Sequence, residues 1–349
     1  MSRAYWPRYW PFLVACLLAG AVQAAPYPNV YGAPPEVLRS TDWYRQCLRV
    51  AGKKLPREHQ AAARAGSAGR CDAGALYYDA LNAPDAGRAD WEKVRACAVR
   101  TDARGVLMML YANGAGMTPN FDLALKYACS IQSPVNEMKA RVQHVRRRAG
   151  SDDRAALDVC DDVASADMRG HCAAVRERQR DKSRAAQLAT VARGWSEKEQ
   201  LGLEMAMKAV QYFAQHRVDH ETDTGSSATR SLQLDTQAFE LDTFSADVLD
   251  AEAGKAPRFS EGEFAALEEK MNETYRRFML TRPASISYLG TIRKTGVETT
   301  QRAWLAYRDA MELFGSIRHP QVPGSGWRAL LTARRIKQLT ELDNAAAGR

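Results

Sequence analysis

Gln301-Arg-Ala-Trp-Leu-Ala-Tyr-Arg-Asp-Ala-Met-Glu-Leu-Phe314 decides the fold class. Trp304, Tyr307, Met311 and Phe314 recur at three-to-four spacing, so one face of a helix is apolar. Outward from this stretch the same spacing returns. Met205, Ala206, Ala209, Val210 and Phe213 form one stripe, and Phe264, Leu267, Met271, Tyr275 and Phe278 another. No alternating run bounded by hairpin turns interrupts them. The expected fold class is all-α. Thr222-Asp-Thr-Gly-Ser-Ser227 reads as a polar turn, and Pro320 to Gly326 ends one helix before the last begins. Pro26, Pro28, Pro34 and Pro35 mark an extended lead.

The chain has 349 residues, 46% hydrophobic and 26% charged, the balance of a globular protein of about two domains. Disordered, collagen-like and polytopic membrane classes are excluded. Residues 1–24 read as a signal peptide. Arg3 and Arg8 precede the apolar run Phe12 to Val22, and Val22-Gln-Ala24 offers a cleavage site after Ala24. The mature chain is expected to be periplasmic or secreted. Leu13-Val-Ala-Cys16 also reads as a lipobox, and lipidated Cys16 would bring the chain to a membrane. The apolar run continues past Cys16, which favours cleavage after Ala24.

Export sets the reading of the other cysteines. Cys47, Cys71, Cys97, Cys129, Cys160 and Cys172 form an even set in an oxidising compartment, which argues for disulfides. None is spaced C-x-x-C, so zinc ribbons and thioredoxin-type motifs are not expected. Six cysteines allow about 15 pairings.

The formal charge of +8 suggests an anionic partner. It is unevenly spread: residues 25–180 carry +6 and residues 181–349 carry none. Acidic residues concentrate in 220–273 and basic ones in 300–349, read as surfaces that attract each other within one domain. Arg334 and Arg335 are expected to pair with the acidic stretch 261–273. Arg146-Arg-Arg148 lacks interleaved aromatics, and with export it argues against nucleic acid. An anionic envelope polymer is the partner that this run would suit. Residues 177–186 read as a surface helix or a linker between regions 36–180 and 190–345.

Two N-terminal stretches match each other at a period of about 32 residues, the length of a helix–turn–helix repeat. Gly74-Ala-Leu-Tyr-Tyr-Asp leads to Asp90-Trp-Glu-Lys-Val-Arg-Ala-Cys97. Gly105-Val-Leu-Met-Met-Leu-Tyr-Ala-Asn-Gly114 leads to Asp122-Leu-Ala-Leu-Lys-Tyr-Ala-Cys129. The second copy resembles a Sel-one-like repeat, a relative of the tetratricopeptide repeat. In cysteine-rich versions one cysteine opens the first helix and another closes the second, which implies Cys71–Cys97. Cys160–Cys172 flanks one short segment and is the next pair. Cys47–Cys129 is what remains. The resemblance also implies a concave surface able to hold a protein.

Met271-Asn-Glu-Thr-Tyr275, Gln301 to Ala310 and Leu331-Thr-Ala-Arg-Arg-Ile-Lys-Gln-Leu339 together resemble the lysozyme-inhibitor LprI-like family of exported helical proteins. Met311 and Trp327 stand where that family often has cysteines, so its C-terminal disulfide is absent. Gln301, Trp304, Tyr307, Arg308 and Asp309 read as the packing signature of the domain. The resemblance implies a non-covalent binding protein whose partner is lysozyme or another envelope protein. A scaffold using the repeats is the alternative. A physical mechanism would be a polar loop that enters the glycan cleft, and loop 318–327 offers Arg318, His319 and Ser325 as donors. C-type lysozymes are usually basic, so attraction would rest on the acidic 220–273 surface.

Catalytic patterns are missing: the sequence has no H-E-x-x-H, G-x-S-x-G or G-x-G-x-x-G. No enzyme activity, catalytic residue, metal or cofactor is expected. His216 and His220, with Glu221 and Asp223 nearby, read as a solvated helix end.

Overall fold

The structure, a computed structural model, describes residues 26–65, 70–150, 155–281 and 289–348. The expected signal segment and Cys16 lie outside the described residues. Within them the chain is all-α, with fourteen helices and two two-residue strands. The N-terminal half runs β1 (Val30–Tyr31), α1 (Pro35–Leu38), α2 (Asp42–Val50), α3 (Arg57–Ala65), α4 (Ala73–Asn82) and α5 (Arg88–Arg100). It continues through α6 (Arg104–Asn113), α7 (Phe121–Ser130), β2 (Ser133–Pro134) and α8 (Val135–Ala149). The C-terminal half follows as α9 (Ala166–Val191), α10 (Glu197–His220), α11 (Thr229–Glu252), α12 (Glu261–Leu280), α13 (Lys294–Arg318) and α14 (Gly324–Ala347).

The N-terminal half is built from helical hairpins, α4 with α5 and α6 with α7. Asp72 caps α4 by accepting from the Ala75 amide, and Asn120 caps α7 by accepting from the Leu123 amide. Gly114 ends α6 in the left-handed region at φ +66°. Gly116 takes φ +66° too, and a Cβ there would fall 2.3 Å from the Trp91 Cβ. Only glycine lets the inter-helix turn approach the preceding hairpin so closely. The apolar sides of Tyr77, Leu107, Leu110, Ala124 and Met138 share one core.

Three disulfides staple this half: Cys47–Cys129 joins α2 to α7, Cys71–Cys97 closes the α4–α5 hairpin, and Cys160–Cys172 ties the preceding turn to α9. A buried ion pair adds a fourth tie. Glu137 Oε1 meets Arg141 Nη2 at 2.7 Å, and Glu137 Oε2 accepts from the amides of Ala164 and Ser165. That carboxylate therefore anchors the start of α9, whose own cap is Ser165.

The C-terminal half is a bundle around a second core. Ser196 and Ser260 open α10 and α12 with capping boxes to Glu199 and Glu263. The stripes expected from sequence supply the core: Phe213, Met271, Phe278, Trp304, Tyr307, Met311 and Phe314 are all buried. Met205, counted on its stripe, is instead exposed on the outer face of α10.

α9 belongs to both cores. Val175 and Met168 pack into the first, Leu188 and Val191 into the second. Residues 177–186 are therefore helix interior. The side chains there reach both ways: Arg178 and Lys182 pair with Asp72, the cap of α4, and Asp79 within it, and Arg184 pairs with Asp242 of α11 at 2.6 Å.

Candidate functional site

The five motif residues sit on α13. Tyr307 is sealed in the core, stacked on Phe213 at 5.8 Å with the Phe244 ring edge-on at 6.3 Å. Burial pushes its hydroxyl pKa well up, so it remains a neutral phenol. Trp304 is buried with the Arg308 guanidinium 5.2 Å above its ring, and Arg308 also reaches Glu268 of α12 at 3.3 Å. Gln301 is buried and bridges two helices. Asp309 alone points outward, with its side chain 67% exposed.

Gln301 belongs to a polar network that sequence reasoning missed. Arg335 of α14 donates through Nη1 and Nη2 to both oxygens of Glu221, at 2.9 and 2.6 Å, and through Nε to Gln301 at 2.8 Å. Gln338 donates to Glu240 of α11, and Arg217 of α10 reaches both Glu240 and Glu221. Two guanidiniums balance two carboxylates in the bundle's interior. Burial alone would raise the Glu221 carboxyl, but Arg335 and Arg217 overcome it and hold the group below its ordinary value.

This geometry corrects the expected partners of Arg334 and Arg335. Neither pairs with 261–273. Arg334 grips Asp247 of α11 with both terminal nitrogens, and Arg335 grips Glu221. Side chains 334 and 335 leave α14 toward α10 and α11. α12 lies along another side of α14, where its Arg277 and Thr281 reach Asp343. The segregated charges do attract within one domain. In consequence Glu221, Glu240 and Asp247 are buried and Asp242 and Glu252 are paired, so part of the expected acidic docking surface is spent internally.

Loop 318–327 also faces inward. Arg318 bridges Glu199 at 2.8 Å and Glu252 at 2.9 Å, with its guanidinium 4.5 Å from the Trp195 ring. Hydrogen bonds from Ser196 and Arg318 hold the Glu199 carboxyl down at about 2. His319 is 7% exposed beside Glu252 and Trp327, and Ser325 is 6% exposed. The three expected donors are thus committed inside the protein. Proline at 320 and 323 fixes the turn, and short turns between long antiparallel helices pack onto the bundle's end.

His216 and His220 stack at 5.4 Å on α10. Among the described residues no group of three or more His, Cys, Asp or Glu is placed to hold a metal ion. Arg146, in the basic run ending α8, pairs with Asp42 at 3.1 Å.

Two of the open grooves among the described residues carry apolar side chains suited to binding. One, of about 540 Å³, lies between α11 and α14 above the buried network. Leu232 and Phe239, 42% and 56% exposed, stand on it among Asp235, Arg334, Lys337 and Glu341. The other, of about 670 Å³, opens on the N-terminal half, where Val106, Ile131, Val159 and Met168 give it an apolar floor beside His171 and Arg104. Such surfaces suit binding. Among the described residues no helix is long and apolar enough to cross a membrane.

Comparison with known proteins adds one assignment. No curated protein and no solved structure matches the chain. Residues 251–339, which span α12, α13 and most of α14, match the family described as Lysozyme inhibitor LprI.

Proposed function

We propose that this is an exported binding protein whose C-terminal bundle inhibits lysozyme by non-covalent contact. The observation that carries the reading is the family match over 251–339, which falls on helices that supply much of the second core. The disulfides fit an oxidising compartment, in keeping with export. With loop 318–327 folded inward, the α11–α14 groove is the surface offered to the partner. Phe239 and Leu232 supply the desolvated centre that tight interfaces need, and the charged rim supplies orientation.

The test is titration of the oxidised mature protein against c-type lysozyme on a cell-wall substrate, at low and moderate salt. Saturable inhibition near one-to-one stoichiometry supports the reading. Because the groove's rim balances Asp235 and Glu341 against Arg334 and Lys337, inhibition should change little with salt. Absence of inhibition at any concentration removes it.

The apolar N-terminal groove favours a second reading, a scaffold that binds an envelope protein through its Sel-one-like repeats. A fragment ending at residue 180 would cut α9, so the intact chain is the reagent. A photo-crosslinker at His171 against one at Phe239 separates the two surfaces.

A further inference from the structure

Arg95 on α5 is the exception among the buried arginines. Arg141, Arg184 and Arg335 each meet a carboxylate at 2.7 Å or less. Arg95 is 7% exposed, and its Nε and Nη1 are sealed from solvent with no hydrogen-bond partner. Among the described residues no carboxylate lies within ion-pair distance of it. Desolvating an isolated cation is costly, and natural structures place a counter-charge beside such groups.

Its surroundings are suited to an anion. α3 packs over α5 and brings His59, whose Nδ1 lies 2.7 Å from the Tyr111 hydroxyl of α6. Tyr111 is itself fixed by stacking on Tyr127 at 6.0 Å. Burial and then the Arg95 charge hold the His59 ring below its ordinary pKa, while Glu58 opposes them weakly from α3. The ring is therefore neutral at pH 7. The neutral tautomer in which Tyr111 donates to Nδ1 leaves Nε2–H as a hydrogen-bond donor.

We propose that Arg95 is the seat of an oxyanion site beneath α3, which takes a single phosphate or carboxylate group. A guanidinium presents its N–H donors in a fork that matches two oxygens of such a group. With Arg95 only 7% exposed, the group that reaches it has to be small, which excludes a polymer backbone. His59 adds a neutral donor at the rim. The site uses none of the bundle residues assigned to the lysozyme reading, so either can fail alone.

The test is thermal unfolding of the oxidised full chain in phosphate, acetate and chloride at matched ionic strength, with the His59 ring followed by NMR. Phosphate, acetate or both should raise the midpoint by a few degrees over chloride, saturably, with a parallel shift of the His59 resonances. The two arms show which oxyanion is preferred. Arg95→Met should abolish both responses, and in chloride it should unfold no earlier than the parent, because it deletes an uncompensated charge. Arg95→Lys should keep the response with about tenfold weaker affinity, having lost the fork. Equal midpoints in the three salts would overturn the proposal. So would an undiminished response in Arg95→Met. A failure of Arg95→Met to fold in chloride would do the same, since it would mean that Arg95 is already compensated within the chain.

Discussion

Arg335 and Glu221 lie side by side in the interior of the bundle, joined by two hydrogen bonds of 2.6 and 2.9 Å, with both side chains fully shielded from solvent. Removing one partner leaves the other charge buried and alone. Arg335→Met or Glu221→Gln should each cost about 3–5 kcal/mol in urea unfolding. Arg335→Lys should not rescue, because an ammonium cannot span both oxygens and Gln301. The double variant Arg335→Met with Glu221→Leu should lose less than the sum of its singles, and simple additivity would show that the pair is not coupled.

Gly315 tests the approach of α13 to α14. A Cβ at this position would sit 2.2 Å from Trp327 Nε1. In an exposed helix Gly→Ala stabilises by roughly 1 kcal/mol. Here overpacking wins, and Gly315→Ala should destabilise by about 1–3 kcal/mol. A gain in stability would mean that the two helices separate at no cost.

Arg318 separates structure from inhibition. It ties the start of α10 to the end of α11 through Glu199 and Glu252. Arg318→Ala should cost about 1–3 kcal/mol in stability. Below its melting point it should leave inhibition unchanged. Lost inhibition in a variant of parental stability would return loop 318–327 to the binding surface.

Acid should weaken the fold in two windows. Burial is the first cause that pushes His59 and His319 below the ordinary 6.5. The unfolded chain therefore binds more protons as pH falls past 6.5, so stability is full above that value and declines below it. His59→Gln and His319→Gln together should flatten the fall in melting temperature between about pH 7 and 5.5. The second window begins near 4.5, where the unfolded chain starts to protonate while Glu199 stays ionised down to about 2.

The disulfides should rank by the loop each one closes. Cys47–Cys129 spans 82 residues, Cys71–Cys97 spans 26 and Cys160–Cys172 spans 12. Loop-closure entropy gives about 4.5, 3.5 and 2.8 kcal/mol in that order. Paired Cys→Ala variants, compared by denaturant midpoint, should follow this order. A reversal would place the stabilisation in native contacts rather than in the unfolded chain.

The helices were legible because each carries a periodic apolar stripe, and burial of Trp304, Tyr307 and Phe314 follows directly from it. The ion network was not, because pairing across a bundle depends on helix rotation, which charge counts do not encode. Arg334 and Arg335 are adjacent in sequence yet serve Asp247 and Glu221 on different partners. The loop at 318–327 looked polar and exposed by composition. Its inward turn rests on Glu199, 119 residues away. Arg95 drew no reading from the sequence, because its burial depends on α3 packing against α5.

α9 carries residues of both cores on one continuous rod, so the angular relation between the halves is a matter of helical phase. One residue inserted between Cys172 and Leu188 would turn everything beyond it by about 100° and advance it by 1.5 Å. Four inserted residues would nearly restore the phase while adding about 6 Å. The direction in which the N-terminal groove faces, relative to the bundle, is therefore written in the number of residues between two buried side chains, and not in any flexible tether.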